Sequence, residues 1–337
     1  MTPARRKRVT VRPMSDTTPS PTPIAAPQLS MGLVNFAAAD PGGWEHLLER
    51  ARLFDTVGVD RLTVSDHIAF GENLDAYGRP ESGGIAGGKQ PTGPDGHWLE
   101  PMTLLAVIAG STSRIRLATN ILIAALRRPA VLAKQASTLD VLSGGRLDLG
   151  VGVGWQQAEY DVAGLDFSKR GRLLNETLEV CQTLWRDQRA THESPALSFD
   201  GIHTMPKPLQ PGGVPIWVSG RANARVAHRL SLFGTGWIPW GDDAAQPAAG
   251  IDRMRQALAD IDHDATDLQV VGRLPTLMTT DGTIDIDRTM DAVPVLVAAG
   301  VTDVRMSVPV PTDPSEATEH LTAIVAAFHE ITGRQRA

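Results

Sequence analysis

The sequence contains one cysteine among 337 residues and no long apolar run, and each scarcity excludes a class of protein. The single cysteine, Cys181, rules out an internal disulfide and any metal site built from several cysteines, which fits a reducing compartment. Leucines recur around Cys181 at helical spacing, so we expect it to fill an apolar helix face. No segment reaches the roughly 18 apolar residues that span a bilayer, so we expect a cytoplasmic protein.

The sequence also lacks a large excess or a cluster of one charge in its main part. The formal net charge is −6, and the basic residues are scattered after the first dozen positions. This distribution gives no electrostatic footprint for nucleic acid or for an anionic membrane. Apolar residues make up 42% of the chain, which is enough to bury a large core. We therefore expect the partner to be a small-molecule substrate.

Residues 1–28 combine a basic cluster at 5–8 with a segment rich in Pro, Thr and Ser. A signal peptide would need an apolar core after the basic cluster, and residues 13–27 supply none. We expect a disordered leader over 1–28, with Met1 and Met14 as alternative starts, and one domain over 29–337.

Apolar strand-like segments alternate with helical patterns over that domain. The predicted strands cover residues 29–37, 61–65, 116–123, 146–152, 215–219, 236–240, 268–274 and 303–308. The predicted helices cover 44–57, 101–111, 129–144, 172–186, 222–233, 249–261, 286–299 and 314–331. Regular alternation implies a parallel sheet, and eight units in about 300 residues favour a closed (β/α)8 TIM barrel over an open sheet. The longer segment 155–213 is an insertion between strands 4 and 5.

Polar residues directly after the second strand are the first candidates for chemistry, since active sites of such barrels lie at the carboxyl ends of the strands. Ser65, Asp66 and His67 stand at that place. His67 could move a proton near neutral pH, and Asp66 could orient the ring or hold a cofactor hydroxyl. The alternative is that Asp66 caps a turn and His67 only completes the loop.

Glycines at the end of the fourth strand are the second candidate. Gly150, Gly152 and Gly154 leave out alternate side chains, which would let a flat ligand approach the backbone or would serve tight barrel packing. A dinucleotide-binding motif fails here, because its third glycine position holds Gln157 and no strand-ending acid follows about 20 residues later.

The turn after the fifth strand is the third candidate. Ser219, Gly220 and Arg221 precede a helix expected to begin near Ala222, and the free N–H groups of such a helix start attract a phosphate. Arg221 could add a guanidinium donor or could be a plain surface residue. We expect no metal, since neither a His-x-His pair after strand one nor an HExxH helix occurs, and no G-x-S-x-G elbow is present.

Five segments together resemble a known family. They are VSDH after strand two, RIRLATNILI, RRPAVLAKQASTLDVLSGGRLDLGVGVGW, PKPLQPGGVPIWVSG and GTGWIPW. They are similar to the bacterial luciferase-like family of flavin and deazaflavin oxidoreductases, especially the branch of probable coenzyme F420-dependent enzymes. The likeness covers roughly residues 29–328, and it implies a TIM barrel with an insertion where this chain lengthens.

The resemblance also implies where a flavin-type ring would lie. The positions matching the family's cofactor site are Asp66, His67, Asn120, Ile121, Val153, Gly154, Ser219, Gly220, Arg221, Asn223 and Ala224. Residues 220–224 match the phosphate side of the cofactor. Family members typically carry a cis peptide after strand three, here between Asn120 and Ile121.

One position departs from the sugar-phosphate dehydrogenases of the family. These carry a catalytic glutamate directly after the glycines of strand four, where this chain has Trp155. A glutamate base acting on glucose 6-phosphate is therefore disfavoured, and Trp155 suggests an apolar or aromatic substrate wall. His97 and Trp98 are further candidates for the substrate side, and the glycine-rich residues 78–96 for a mobile lid.

Three functions follow from the resemblance. The leading hypothesis is a coenzyme F420-dependent oxidoreductase that transfers a hydride between the deazaflavin and an organic substrate, with His67 as the catalytic proton carrier. The alternative is an FMN-dependent monooxygenase that uses oxygen and reduced flavin from a separate reductase. The third is a barrel that binds a flavin without turnover. The resemblance further implies a homodimer formed through the helices after strands two and three.

Overall fold

The computed structural model describes residues 26–334, and eight parallel strands in that range close into a barrel. In chain order the strands are β1 (Gln28–Gly32), β2 (Arg61–Val64), β3 (Arg116–Thr119), β4 (Leu147–Val151), β5 (Ile216–Gly220), β6 (Gly236–Pro239), β7 (Gln269–Arg273) and β8 (Asp303–Met306). The barrel closes where β1 pairs with β8, Gln28 lying opposite Asp303. The predicted TIM barrel is confirmed. Two strands are shorter than predicted, since β1 ends at Gly32 rather than at residue 37 and β3 ends at Thr119 rather than at residue 123; the other strands lie within two residues of their predicted bounds.

Helices surround this barrel. They are α1 (Glu45–Val57), α2 (Pro101–Ala109), α3 (Pro129–Leu142), α4 (Gln157–Val162), α5 (Arg170–Arg186), α6 (Ala224–Phe233), α7 (Asp242–Ala245), α8 (Pro247–Ala259), α9 (Ile286–Met290), α10 (Val293–Ala299) and α11 (Pro314–Thr332). Alternate strand residues such as Leu62 and Val304 are fully buried in the apolar layer between strands and helices. The other set of strand residues faces the barrel interior.

One helix predicted as continuous is wrong, because it is interrupted in the structure. The pattern over 286–299 predicts a single helix, but the structure has two, α9 and α10, separated at Asp291 and Ala292. Pro294 explains the break, because its ring has no N–H to donate and clashes with the carbonyl four residues earlier. Proline is instead accommodated in the first turn of α10.

The predicted insertion between β4 and β5 contains α4, α5 and a two-stranded antiparallel ribbon, Ala190–Glu193 with Ser198–Ile202. The ribbon was not predicted from the sequence. Cys181 lies on the buried face of α5 with 1% of its surface exposed, as expected for core filler. Burial raises the pKa of this thiol above its ordinary value.

A buried ion-pair network fills the amino-terminal end of the barrel. Asp148 accepts hydrogen bonds from Arg61 Nε at 3.0 Å and from Arg116 Nε and Nη2 at 2.7 Å. Arg61 also pairs with Asp303, which accepts a hydrogen bond from Ser30 Oγ at 2.7 Å. Burial would raise the pKa of Asp148, but the charges of Arg61 and Arg116 outweigh it and hold that pKa below its ordinary value. The network ties β2, β3, β4 and β8 together.

The first 25 residues of the leader predicted over 1–28 lie outside the described part of the chain. The strand β1 begins at Gln28, which is the last residue assigned to that leader. Within residues 26–334, no helix is long and apolar enough to cross a membrane.

Replacing Asp148 tests the importance of the network. We expect Asp148→Asn to lower the free energy of unfolding by about 3–5 kcal/mol at pH 7, because two buried guanidinium groups lose their shared counter-charge. Asp200→Asn is the control, since Asp200 forms an exposed pair with Arg189, and should cost under about 1 kcal/mol. Chemical denaturation of both variants measures the difference.

The same experiment has a defined pH dependence. The folded-state pKa of Asp148 is depressed, so its contribution is present above the unfolded pKa and is lost as the pH falls through the folded value. The gap between wild type and Asp148→Asn should therefore shrink below about pH 4. A gap of equal size at pH 7 and pH 3 would contradict this assignment.

Candidate active site

The carboxyl ends of the strands bring the predicted residues to one end of the barrel. Asp66 and His67 follow β2, Asn120 and Ile121 follow β3, Val153 to Trp155 follow β4, and Ser219 to Arg221 end and follow β5. Because all eight strands are parallel, these segments share one rim. The residues selected from the sequence thus lie at the ends of four neighbouring strands around the mouth.

His67 is paired with a carboxylate that sequence reasoning missed. Its Nδ1 lies 3.1 Å from Glu159 Oε2, and the imidazole is only 10% exposed. Glu159 belongs to α4 in the insertion and is fully buried. Its Oε1 accepts a hydrogen bond from the Ile68 N–H at 2.9 Å, so the carboxylate is fixed at both oxygens. The pair therefore holds the imidazole ring in one orientation.

Aromatic rings surround His67, although aromatic residues make up only 5% of the chain. The ring centroid of His67 lies 4.5 Å from that of Phe70, 4.8 Å from Trp98 and 6.0 Å from Trp155. Trp98 in turn stacks on Phe36 at 4.2 Å. The imidazole thus lies in a largely apolar enclosure at the barrel mouth.

Asp66 lies beside His67 but is held by other protein groups. Its Oδ1 accepts from Arg127 Nη2 at 2.9 Å, and its Oδ2 accepts from Arg127 Nη1 at 2.6 Å and from the Ile123 N–H at 2.8 Å. Arg127 also bonds Glu100, which caps α2. The structure thus links Asp66 to the loop after β3 and to α2. Cofactor contact by Asp66 stays a prediction.

Asn35 fixes the backbone just before Asp66. Its amide Nδ2 donates to the carbonyls of Ser65 and Leu99, and its Oδ1 accepts from the Ser65 N–H, all at 2.9 Å. Asn35 is fully buried. It therefore joins the loop after β1, the end of β2 and the segment that carries Trp98.

The peptide bond between Asn120 and Ile121 is cis, which confirms the bond that the family resemblance implies. Ile121 packs on three side chains in the barrel interior, Trp217, Ile238 and Val271. An apolar floor therefore lies beside this bend.

The glycines of β4 make room for neighbouring protein atoms. A Cβ on Gly150 would lie 2.1 Å from the Thr119 carbonyl, and one on Gly152 would lie 2.8 Å from Ile121 Cδ1. Gly154 has φ +67° and faces Ile123. Of the two interpretations left open by the sequence, tight packing against the β3 loop accounts for Gly150 and Gly152.

The turn after β5 differs from the predicted helix start. The helix α6 begins at Ala224 rather than near Ala222, because Asn223 is its N-cap and accepts from the N–H groups of Arg225 and Val226. The Ala222 N–H is bonded to Asp243 at 2.7 Å. These donors are therefore already satisfied by the protein.

Arg221 remains as a donor at that turn. It is half-buried, and its guanidinium has no hydrogen bond or ion pair with any residue in 26–334. Gly241 lies close against it, since a Cβ there would be 3.1 Å from Arg221 Nε. A half-buried cation without a counter-charge favours an anionic guest.

The glycine-rich residues 78–96 lie across the mouth. The indole Nε1 of Trp240 donates to the Gly83 carbonyl at 3.0 Å, and the Tyr77 ring packs edge-on against Trp155 at 5.4 Å. Burial raises the pKa of Tyr77 above its ordinary value. We call residues 74–98 the lid segment; its mobility stays a prediction.

Two buried donors near the mouth have no partner within the described residues. They are Trp155 Nε1 and Gln156 Nε2, with Trp155 6% and Gln156 3% exposed. The Gln156 Oε1 is occupied, since it accepts from the Gly71 N–H at 2.5 Å. Buried donors ordinarily find acceptors, so both groups suit a ligand that carries carbonyl oxygens.

His97 and Trp98, the two residues of the lid segment proposed for the substrate side, lie in different environments. Trp98 contacts His67, whereas His97 is exposed and pairs in a short ribbon with Ala37. Successive residues of a strand point to opposite sides, which explains the difference. A substrate role for His97 stays a prediction.

The missed residues left only weak signals in the sequence. Glu159 lies four residues after Trp155 in a helix too short to show periodicity, and Trp240 directly follows β6. No group of three or more His, Cys, Asp and Glu side chains in residues 26–334 could hold a metal ion.

Comparison with known proteins gives one family. A family model described as luciferase-like monooxygenase matches residues 19–284. An uncharacterised protein of Mycobacterium tuberculosis is 33% identical over 172 residues, which are 48% of this chain and 61% of the relative. The pyrimidine monooxygenase RutA of Cronobacter sakazakii is 34% identical over 136 residues, 39% of each chain. The matched segments thus span less than two thirds of these relatives.

Solved structures agree with the fold. A coenzyme F420-dependent secondary alcohol dehydrogenase superposes with a TM-score of 0.67 at 16% identity, covering 90% of this chain and 99% of the other. At this identity the likeness concerns the fold alone.

The contact between Trp240 and the lid segment can be tested directly. Trp240→Phe keeps a ring but removes the N–H that bonds the Gly83 carbonyl, so amide exchange over residues 77–85 should accelerate about fivefold. Trp44→Phe is the control, because Trp44 is the N-cap residue of α1 and its ring stacks on His46. Equal exchange in both variants, measured by hydrogen–deuterium exchange, would show that this bond does not hold the lid segment.

Proposed function

Because the chain belongs to the luciferase-like monooxygenase family, whose members are oxidoreductases or monooxygenases, we propose that it is a coenzyme F420-dependent oxidoreductase. In this proposal a hydride passes between the deazaflavin and a small organic substrate. The observation that carries it is the buried pair of His67 and Glu159 inside an aromatic enclosure at the barrel mouth. Hydride transfer to a carbonyl, or in reverse from an alcohol, also requires a proton carrier, and His67 is the group suited to that task.

The residues present fit a flavin-type cofactor. Ile121 and its apolar neighbours suit one face of a flat ring, and the orphaned N–H groups of Trp155 and Gln156 suit ring carbonyl oxygens. Arg221 suits a phosphate. When bound, the cofactor supplies the redox chemistry, while the protein supplies binding and orientation.

Glu159 determines which nitrogen of His67 is available. With both of its oxygens accepting hydrogen bonds, Glu159 keeps the proton of the neutral imidazole on Nδ1. The other nitrogen, Nε2, is then free to accept a proton from a substrate hydroxyl or return it to a developing alkoxide. The surrounding rings of Phe70, Trp98 and Trp155 exclude water from that exchange.

An FMN-dependent monooxygenase is the second candidate. The specific observation in its favour is the 34% identity to a pyrimidine monooxygenase over the segment matched. Such an enzyme would receive reduced flavin from a separate reductase, and the same enclosure would protect the reaction from water.

We further propose a cytoplasmic homodimer. Val107 on α2 and Val131 and Leu142 on α3 are more than half exposed, with Leu142 at 71%. These helices follow β2 and β3, where the family resemblance places the contact, and exposed apolar side chains are often covered by a partner.

Cofactor choice is tested by titrating the purified apoprotein with coenzyme F420 and with FMN. The first candidate predicts quenching of deazaflavin fluorescence with saturable binding, and FMN bound at least about tenfold more weakly. Arg221→Met should weaken whichever cofactor binds, while Arg172→Met on α5 should not. Tight FMN binding without deazaflavin binding would replace the first candidate by the second.

Replacement of Glu159 tests the proton carrier. We expect Glu159→Gln to reduce the rate of substrate-linked cofactor reduction about a hundredfold or more, because the glutamine amide can donate to Nδ1 and stabilise the wrong tautomer. His67→Ala should cost at least as much. Cofactor affinity and unfolding temperature report on folding, and Glu179→Gln, an exposed carboxylate on α5, is the matched control.

The pattern across these variants decides between a catalytic and a structural role. A role in proton transfer predicts that turnover falls while cofactor affinity changes little, and that the pH profile of turnover is altered in Glu159→Gln. Full turnover in His67→Ala would rule out His67 as the proton carrier.

A further inference from the structure

Arg305 is a buried cation in the barrel whose guanidinium makes no hydrogen bond within residues 26–334. Its side chain is 12% exposed, and its closest carboxylate oxygen is Asp303 Oδ1, 4.0 Å from Nη2. Its Nε is buried, and no hydrogen bond joins the guanidinium to any residue between 26 and 334. A guanidinium carries five N–H donors, and buried charges are ordinarily paired. Asp303 Oδ1 likewise accepts no hydrogen bond in residues 26–334, so the 4.0 Å ion pair leaves the donors of Arg305 unsatisfied.

The strand pattern places this guanidinium inside the barrel. Asp303 faces the interior, because it pairs with Ser30 and Arg61 across the barrel floor. Arg305 lies two residues later on β8, so its side chain points to the same side and one layer nearer the mouth. It thus lies between the ion-pair network at the amino-terminal end and the rim that carries His67.

The carboxylates at the barrel floor are shared unequally. Asp148 pairs with Arg61 and Arg116, whereas Asp303 pairs with Arg61 and, at 4.0 Å, with Arg305. Of these three guanidinium groups, Arg305 has the longest ion pair and is the one that makes no hydrogen bond in residues 26–334. Burial and the nearby charge of Arg61 lower the pKa of Arg305 to about 9, as expected for a buried cation whose counter-ion is distant.

A second arginine lies beside Arg305 on the neighbouring strand. Arg273 is the last residue of β7 and is in register with Arg305. Val271, two residues earlier, packs with Trp217 and Ile238 in the interior, so Arg273 also points inward at the rim. It is exposed, and its positive charge acts on Tyr77 of the lid segment. The two arginines therefore form one cationic strip from the interior to the mouth.

We propose that Arg305, assisted by Arg273, binds a carboxylate of the substrate, so that the enzyme acts on an organic acid with an apolar or aromatic body. A planar guanidinium matches a carboxylate in two parallel hydrogen bonds, which would supply the acceptors that Arg305 lacks. The neighbouring Val271, Ile238 and Ile121 supply an apolar wall for the remainder of the molecule. The assignment of this carboxylate to a substrate rests on the proposed oxidoreductase function, in which Arg221 serves the cofactor phosphate.

Benzoate and benzamide are suitable probes, because they share a shape and differ in charge. Calorimetric titration of the full chain at low ionic strength should show benzoate bound at least about tenfold more tightly than benzamide. Arg305→Met should weaken benzoate binding at least about tenfold, and Arg305→Lys less, since it keeps the charge and loses the planar fork. Arg52→Met on the exposed side of α1 is the matched control and should bind as wild type.

Thermal unfolding gives a second readout. Arg305→Met removes a buried cation that makes no hydrogen bond in the described residues, so it should unfold at a temperature equal to or above that of wild type. Benzoate should raise the unfolding temperature of wild type and Arg52→Met but not of Arg305→Met. An Arg305→Met protein that is strongly destabilised without benzoate would show that the pair with Asp303 already satisfies Arg305, and would overturn the subsite.

The outcomes separate the subsite from the proposed function. Equal binding of the two probes, benzoate binding unaffected in Arg305→Met, or loss of benzoate binding in Arg221→Met alone would overturn the subsite. Loss of cofactor affinity in Arg305→Met beyond about twofold would assign Arg305 to the cofactor and would also overturn it. Benzoate binding that depends on Arg305 in a chain that takes up neither flavin would support the subsite and refute the oxidoreductase.

Discussion

Closure of the parallel barrel is the constraint on which the remaining features depend. Once β1 pairs with β8, every strand must end at the same rim, and loops far apart in sequence meet there. His67 and Glu159 are 92 residues apart and yet lie within hydrogen-bond distance. Closure also creates an interior with two ends. The amino-terminal end is filled by paired charges, and the mouth by rings and unpaired donors.

The sequence predicted the fold well, because the relevant signals are local and repeated. Apolar strand segments and helical stripes recur eight times in the same order, and the barrel follows from that order. The exception over 286–299 is also local, because Pro294 interrupts a helix that the apolar periodicity alone predicts as continuous. The short ribbon at 190–202 was missed because its alternation extends over too few residues.

The candidate site could be predicted only in part. The position of a residue at a strand end can be read from the nearby sequence, but its contacts with residues far along the chain cannot. His67, Ile121 and Arg221 could be selected as residues at strand ends, and the structure brings their loops to one rim. Glu159 could not be selected, since nothing near it in sequence indicates that its carboxylate meets His67. Arg305 could not be selected either, because an arginine that makes no hydrogen bond is recognised only when its spatial neighbours are known.

The bond between Trp240 and the lid segment is directed at a backbone carbonyl, that of Gly83. A backbone acceptor is present whatever side chains the surrounding residues carry, whereas a side-chain acceptor would fix one identity. Gly83 itself needs its positive φ of 98°, but Arg79, Glu81 and Ser82 beside it make no side-chain contact that this bond requires. Side chains of the lid segment can therefore change without loss of the bond between Trp240 and the Gly83 carbonyl. A barrel of this kind could vary the residues that face a substrate and still keep the lid segment attached at its mouth.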